Sequence, residues 1–327
     1  MKISVVAFEG CMTSAVFGLM DTFAIATIRS GSVTDQRWSG HTAQIVTSGG
    51  QPVRGFGAHA ISSFQSLEDA SDSDVVIVPP IFGDVEMVLD RERELVDWLR
   101  GFRTRESIVA SACSGAFLLA EAGFGGGQVM TTNPAFKAFF SKRYPGIKLA
   151  LDKRIVDSPT LICAGSTTSF FDLAVHVVGR LGGHELAVLT AKTLSINRNP
   201  SSQLAYSVFV APKDHGDNSI LHLQDWLENN YARSVTLEDM AREGAMSLRN
   251  LNRRFHAATA HSPVQYLRAV RIEFAKRLLE SDRESVERIA SEVGYQDTRA
   301  FIRAFVATVG ISPGAYRRRF CLQETED

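Results

Sequence analysis

Residues 249–255 read RNLNRRF, and residues 299–305 read RAFIRAF. The two stretches align at an offset of 50 residues. The arginines at 249 and 253 then align with arginines, and the large apolar residues at 251 and 255 align with phenylalanines. The same offset pairs Ser262-Pro263 with Ser312-Pro313 and Tyr266 with Tyr316. The last hundred or so residues are therefore predicted to contain two copies of one supersecondary unit.

Each copy has the pattern of a helix, a short turn and a second helix. In the first copy, Thr236 is a favourable N-cap for the first helix and Ser247 for the second, and the turn between the two helices contains glycine. In the second copy, Asp297 or Thr298 caps the second helix, and a long helix over 263–279 joins the two copies. The sequence thus predicts two helix-turn-helix units with a helical connector.

The second helix of each copy presents residue types that can read DNA bases. Leu251 and Phe255 are four residues apart and face the core, so the opposite stripe of that helix faces solvent. Arginine can form bidentate hydrogen bonds to guanine, and asparagine can do so to adenine. The predicted base-reading residues are Arg249, Asn252, Arg253, Thr298, Arg299 and Arg303.

Further arginines in the same region are predicted to contact DNA phosphates: Arg254, Arg268, Arg271, Arg317, Arg318 and Arg319. Residues 218–321 carry 16 Lys and Arg against 12 Asp and Glu, although the whole chain has a net charge of -1. The alternative is a helical interaction scaffold on which these charges are only a solvated face. The paired placement of the arginines favours DNA as the partner.

The first part of the chain alternates apolar runs with helical patterns, which is typical of an α/β sandwich with a mostly parallel sheet and a flavodoxin-like fold. The predicted strands cover 2–8, 43–48, 74–79, 108–113 and 161–164. The predicted helices cover 13–28, 91–103, 114–122, 134–143, 169–181 and 183–195. A ligand crevice is expected at the carboxyl ends of the strands.

Composition narrows the function classes. The 327 residues suggest two domains, with a polar linker at 197–217 and an acidic tail at 322–327. The four cysteines show neither CxxC pairing nor histidines at ligand spacing, so no disulfide framework, metal site or cofactor is predicted. The N-terminal residues do not have the pattern of a signal peptide, and no apolar run is long enough for a membrane span, so a cytoplasmic protein is expected.

One cysteine is placed as a nucleophile would be. Cys113 follows the apolar strand at 108–112 and precedes a small-residue turn into a helix. A thiol near a helix N-terminus is favoured as the thiolate. The alternative is a buried structural cysteine.

Residues 218–321 resemble the DNA-binding domain of the AraC/XylS regulators, most specifically in ASEVGY at 290–295 and GISPGAYRR at 310–318. The resemblance implies two helix-turn-helix units in adjacent major-groove segments on one face of double-stranded DNA. It also implies a bacterial, nucleoid-associated transcription regulator, a homodimer, and RNA polymerase as a partner if the protein is an activator.

Residues 1–196 resemble the PfpI-like, class I glutamine-amidotransferase-like superfamily, in the form that is fused to AraC-type domains. The matching pieces are ACSG at 112–115, MTTN at 130–133 and AGST at 164–167. Family enzymes pair the elbow cysteine with a histidine, where this chain has Asn133 followed by Pro134. Because asparagine cannot act as a general base, we expect a non-catalytic domain. The resemblance implies a small-molecule effector such as an amino acid or a quaternary ammonium compound.

The predicted ligand-binding residues stand at the carboxyl ends of strands: Glu9, Phe82, Cys113, Ser114, Asn133 and Ser166. Backbone N–H groups of Ile81 and Ser114 are expected to form an anion pocket. Two alternatives stay open for this domain. In the first, the domain is an active thiol hydrolase or glyoxalase-like enzyme with Cys113 as nucleophile. In the second, Cys113 is a redox sensor.

Overall fold

The computed structural model describes residues 1–63, 65–196, 203–281 and 284–321. The chain divides into two compact units between Gln203 and Leu204. This division falls inside the predicted linker. Residues 197–202 of that linker and the predicted acidic tail at 322–327 lie outside the described residues.

The N-terminal unit is built on a seven-stranded sheet, with two further sheets of two strands each. Its strands are β1 (Lys2–Val6), β2 (Thr42–Thr47), β3 (Val53–Arg54), β4 (Ala60–Ile61), β5 (Gln65–Ser66), β6 (Val75–Val78), β7 (Ile108–Ala112), β8 (Val129–Met130), β9 (Lys148–Leu149), β10 (Ile155–Asp157) and β11 (Leu161–Ala164). The order in the large sheet is β10-β11-β7-β6-β1-β2-β5. Its neighbouring strands are parallel except for the β10–β11 pair. The predicted flavodoxin-like class with a mostly parallel sheet is confirmed.

Helices cover the sheet of this unit. They are α1 (Thr13–Ser30), α2 (Val85–Arg91), α3 (Arg93–Arg100), α4 (Ala116–Glu121), α5 (Lys137–Arg143) and α6 (Phe170–Thr193). Every residue of β6 and β7 is buried, as expected for central strands that are covered on both faces. A Cβ atom on Gly18 would lie 2.6 Å from the Phe170 ring, so glycine allows α1 to approach α6 closely.

One helix of this unit was missed, and one predicted break is confirmed. The helix predicted over 91–103 corresponds to α3, whereas α2, which precedes it and meets it at Glu92, was not predicted. The break predicted between helices over 169–181 and 183–195 is confirmed, because the backbone of α6 is non-helical at Gly183, where φ is +87° and ψ is 165°. α2 has only seven residues, too few to show a clear apolar periodicity.

The regular secondary structure among the described residues of the C-terminal unit is all helical. Its helices are α7 (Asn218–Asn230), α8 (Leu237–Glu243), α9 (Leu248–Thr259), α10 (Pro263–Ser281), α11 (Val286–Glu292), α12 (Thr298–Val309) and α13 (Pro313–Phe320). The predicted caps are confirmed: Thr236 forms a capping box with Asp239, Ser247 accepts a hydrogen bond from an N–H of α9, and Asp297 caps α12. In the described part of the chain, no helix has both the length and the apolar character that a membrane crossing needs.

Candidate DNA interface and effector site

The second helix of the first unit, α9, has the two faces that the sequence predicts. Leu251 and Phe255 are fully buried in a core with Tyr266. Arg249, Asn252 and Arg253 are exposed. The Asn252 amide donates to the carbonyl of Leu248 at 3.0 Å, and the Arg253 guanidinium donates to the side-chain oxygen of Asn250 at 2.9 Å. These contacts stay within the helix, so both side chains remain on its solvent side.

The second helix of the second unit, α12, repeats this arrangement. Phe301 and Phe305 are fully buried, and Arg299 and Arg303 are exposed. Thr298 is half-buried at the start of the helix. Arg303 lies 3.9 Å from the Asp297 carboxylate, an exposed and therefore weak pair that leaves the guanidinium accessible.

Sequence reasoning missed members of the same exposed stripes. Leu248 in the first turn of α9 and Val306 in α12 are each 40% exposed. His256 is also exposed, at the position that pairs with Val306 at the offset of 50. Amphipathic patterning assigns apolar residues to the core, and this explains why Leu248 and Val306 were not selected as surface residues.

Most of the predicted phosphate contacts are engaged inside the unit. Arg254 binds the Asp217 carboxylate at 2.5 Å, and Arg271 donates to the backbone carbonyls of residues 231 and 233. Arg317 donates to the Glu284 carbonyl, and Arg319 donates to the Tyr206 hydroxyl. These four side chains thus have structural roles of their own, and their predicted phosphate contacts stay a prediction. Within the described ranges, the side chains of Arg268 and Arg318 form neither a hydrogen bond nor an ion pair.

The elbow at Cys113 has the predicted strand-to-helix geometry. Cys113 follows β7 with φ +52°, an unusual value for a residue with a side chain. A Cβ atom on Gly115 would lie 2.6 Å from the Pro79 carbonyl oxygen, so the turn requires glycine there. Cys113 is 3% exposed, and its sulfur lies 3.9 Å from the Thr167 hydroxyl. The Thr132 hydroxyl donates to the Cys113 carbonyl at 2.8 Å.

The expected anion pocket is not present in the form predicted. The Ile81 N–H donates to the Ser114 hydroxyl oxygen at 2.9 Å, and that hydroxyl donates back to the Ile81 carbonyl at 2.8 Å. Ser114 is 1% exposed. Because the Ile81 N–H already has a partner inside the protein, the expectation that it is available to an anion is wrong.

Glu9 and Phe82 lie on two segments that are joined by a backbone hydrogen bond. The Phe82 N–H donates to the carbonyl of Gly10 at 3.0 Å, and the Phe82 ring packs 4.3 Å from the Phe56 ring. One oxygen of the half-buried Glu9 carboxylate accepts from the Arg54 N–H at 2.9 Å. Residues 11 and 81 form a backbone bridge beside them, so this edge adjoins the elbow.

Asn133 and Ser166 lie in the segments that follow β8 and β11. The Asn133 side chain accepts from the Ala135 N–H at 3.0 Å and so caps a short helical turn. Ser166 is half-buried and directly precedes Thr167, the residue that contacts the Cys113 sulfur. Asn133 therefore has a structural role of its own, and its predicted ligand contact stays a prediction, as does that of Ser166.

Gln203 is a buried polar residue near the elbow that sequence reasoning missed. Its amide nitrogen donates to the Leu151 carbonyl at 2.8 Å, the Thr131 hydroxyl at 3.1 Å and the Thr132 carbonyl at 3.3 Å. A Cβ atom on Gly165 would lie 1.8 Å from the Gln203 side-chain oxygen. Gln203 thus packs against the segment that holds the Cys113 carbonyl, a contact that its place in a polar stretch does not reveal.

Burial makes two other thiols unreactive. It raises the pKa of Cys11 to about 12 and that of Cys163 to about 11. Since the thiolate is the nucleophile, neither is suited to chemistry near neutral pH. The described residues contain no group of three or more His, Cys, Asp or Glu that could hold a metal ion.

Comparison with known proteins gives two family matches. The model of the DJ-1/PfpI family matches residues 1–180, and a model described as a helix-turn-helix domain matches residues 240–319. The transcriptional regulator CdhR of Pseudomonas aeruginosa is 23% identical over 274 residues, which are 84% of this chain and 80% of that protein. GbdR of the same species is 25% identical over 250 residues, which are 75% of this chain and 66% of that protein.

Solved structures show a similar N-terminal fold. The crystal structure of Drosophila melanogaster DJ-1beta is 20% identical, with a TM-score of 0.51 over 60% of this chain and 98% of that chain. The helix-turn-helix match, together with relatives that are transcriptional regulators, defines a transcription regulator with an α/β domain. The chain belongs to the DJ-1/PfpI family and, through its helix-turn-helix domain, is an AraC-family transcriptional regulator. The resemblance drawn from the sequence is confirmed.

Proposed function

We propose that this regulator binds a specific DNA sequence through α9 and α12, which enter successive major-groove segments. The observation that carries the proposal is the matched pair of exposed arginines on each helix, at positions 249 and 253 and again at 299 and 303. Each pair lies opposite a fully buried aromatic core, so the core fixes the direction in which the arginines project. Asn252 and Thr298 complete the two reading surfaces.

The first test is the change Arg253→Ala. Loss of a bidentate contact to guanine should weaken binding to the preferred site by about 1 to 3 kcal/mol and relax the base preference at one position. DNA fragments selected from random genomic DNA by the full chain would be titrated at fixed salt. The control is Arg277→Ala, which removes an equal charge from exposed α10 surface. Equal affinities of wild type and Arg253→Ala for the selected site would refute the placement.

The N-terminal unit is proposed to hold a small nitrogenous effector, with no catalytic step. The supporting geometry is the aromatic pair Phe56 and Phe82, 54% and 37% exposed, where the Phe82 N–H is bonded to the carbonyl of Gly10, the residue that follows Glu9. Aromatic faces with a carboxylate favour a cation such as a quaternary ammonium group. Cys113 contacts the Thr167 hydroxyl rather than a general base, which suits a binding role. The protein is further proposed to act as a homodimer in the bacterial cytoplasm, and to contact RNA polymerase where it activates.

The effector proposal is tested by calorimetric titration with choline and with glycine betaine. The matched control ligand is the neutral tert-butyl analogue of choline, which has nearly the same shape without the charge. Saturable binding of a cationic probe that Phe82→Ala weakens, with no binding of the neutral analogue, is the expected result. Equal binding of both would contradict the cation site. Persistence of binding in Cys113→Ser would separate this role from thiol chemistry.

A further inference from the structure

Arg271 lies near the middle of α10, the helix that joins the two helix-turn-helix units. It is half-buried and projects into the junction between them. Its Nε donates to the Tyr231 carbonyl and its terminal nitrogen to the Arg233 carbonyl, both at 2.8 Å. These carbonyls belong to the loop between α7 and α8, which leads directly into the first unit. Arg271 therefore ties that loop to the connecting helix.

The same guanidinium also reaches the second unit. It lies 5.4 Å from the centre of the Tyr295 ring, over its face. Tyr295 stands in the turn between α11 and α12. One side chain thus contacts the entrance to the first helix-turn-helix unit and the turn of the second, while its backbone belongs to the connector.

The backbones of the two units approach each other closely at this point. Gly294, in the turn of the second unit, has φ +86°, and a Cβ atom there would lie 2.9 Å from the carbonyl oxygens of Tyr231 and Ala232. The Tyr231 ring stacks on Phe274 of α10 at 3.9 Å. The loop of the first unit is thus held between the connector and the turn of the second unit.

Apolar packing fills only part of this junction. A cavity of about 220 Å³ opens beside Arg271, with Ser234, Ser291 and Gln296 on its rim. All three of these polar residues are exposed. Because an open polar cavity contributes little burial, the hydrogen bonds of Arg271 carry much of the fixed geometry here.

We propose that Arg271 is a positioning residue that sets the separation and rotation of α9 relative to α12, and so the spacing between the two DNA subsites that the protein accepts. This inference rests on the proposed function, in which both helices read one duplex. Rigidly linked binding units favour the one spacing that they match, and a looser junction weakens that preference. Arg271 then determines specificity without contacting a base.

The test uses the full chain and its selected DNA fragment, with variants of that fragment that gain or lose one base pair between subsites, and a variant with one subsite scrambled. One inserted base pair rotates the second subsite by about a tenth of a helical turn. Arg271→Lys is expected to weaken binding at the selected spacing about tenfold, to reduce the penalty of insertion, and to leave single-subsite binding unchanged. The lysine keeps the positive charge but cannot make the paired hydrogen bonds.

Arg277→Ala is the matched control, because it removes a charge from exposed surface of the same helix. It should leave the spacing profile as in wild type. An insertion penalty in Arg271→Lys equal to that of wild type would overturn the proposal. Equal losses on single and paired subsites would overturn it as well, since they would indicate an ordinary DNA contact.

A measurement without DNA keeps the inference separate from the proposed function. Spin labels are attached at Ala257→Cys and Ala307→Cys, exposed positions that pair at the offset of 50 on α9 and α12, in a Cys321→Ser background. Electron–electron distances should be narrowly distributed in the parent and broader in Arg271→Lys, with Arg277→Ala like the parent. An unchanged distance distribution contradicts the positioning role of Arg271, even if no DNA site is found. A broadened distribution without specific DNA binding would contradict only the proposed function.

Discussion

The two helix-turn-helix units have matching cores and different exposed surfaces. Phe255 packs edge-on to Tyr266 at 5.3 Å, and at the offset of 50 Phe305 packs edge-on to Tyr316 at 5.6 Å. Each tyrosine hydroxyl donates to a glutamate, Glu228 in the first unit and Glu280 in the second. The repeat therefore extends to side-chain geometry and not only to sequence pattern.

The exposed stripes have diverged around the shared arginines. Residues 248, 252 and 256 are Leu, Asn and His, whereas 298, 302 and 306 are Thr, Ile and Val. The first stripe offers an amide and an imidazole, and the second offers methyl groups, which suit the thymine methyl. Packing restricts the inner positions to residues that fill the same space, whereas the outer positions are not restricted in this way. The preferred site should therefore consist of two unlike subsites.

The largest expected effect tests whether the cores of the two units contribute equally to stability. Phe255→Ala and Phe305→Ala each remove a fully buried ring, so each should lower the free energy of unfolding of the C-terminal unit by about 3 to 5 kcal/mol. Denaturant titration of the full chain, followed by the helical signal, measures both. The control is Val306→Ala, one residue from Phe305 but exposed, which should cost little. A loss of unfolding free energy in only one of the two phenylalanine variants would show that the two cores do not contribute equally to stability.

A smaller effect tests the difference between the stripes. If Val306 contacts a thymine methyl, replacing thymine by uracil in the second subsite should weaken binding about fourfold, from the loss of one buried methyl group at about 0.8 kcal/mol. Val306→Ala should weaken binding to thymine DNA and show no further loss on uracil DNA. Uracil substitution in the first subsite is the control. Independent, additive losses from the protein change and the base change would exclude the contact.

The smallest effect concerns an ion pair that only the first unit has. Arg254 binds Asp217, whereas position 304, its counterpart in the second unit, is alanine. The hydrogen bond from Arg254 holds the pKa of Asp217 below its usual value. The pair should therefore stabilise the fold above about pH 4, the unfolded value, and lose that effect as pH falls toward the lower folded pKa.

Asp217→Asn removes this charge and keeps the cap on α7, because asparagine caps helices as well as aspartate does. We expect a loss of less than about 1 kcal/mol at pH 7, since both side chains are partly exposed, and a vanishing difference from wild type in acid. Thermal unfolding across pH measures it. Arg254→Ala should lose a similar amount without adding to Asp217→Asn. A constant difference at all pH values would contradict the ion-pair origin.

Much of this molecule follows from local pattern. The N-caps at Thr236 and Ser247, the buried strand β6 and the elbow at Cys113 all agree with the sequence prediction. Short elements were missed, such as β5 with two residues and β10 with three, because so few residues show no periodicity. The seven-residue helix α2 was missed for the same reason.

The sequence by itself determined which faces are buried and which carry charge, because burial follows a periodicity that neighbouring residues define. Only the tertiary structure decided what each polar group binds. The Arg271 side chain donates to the carbonyl of Tyr231, which lies 40 residues earlier in the sequence. The Ser114 hydroxyl accepts from the N–H of Ile81, 33 residues earlier. A repeat or an amphipathic stripe gives a side chain its direction, but its partner depends on which distant backbone the fold brings within hydrogen-bonding distance.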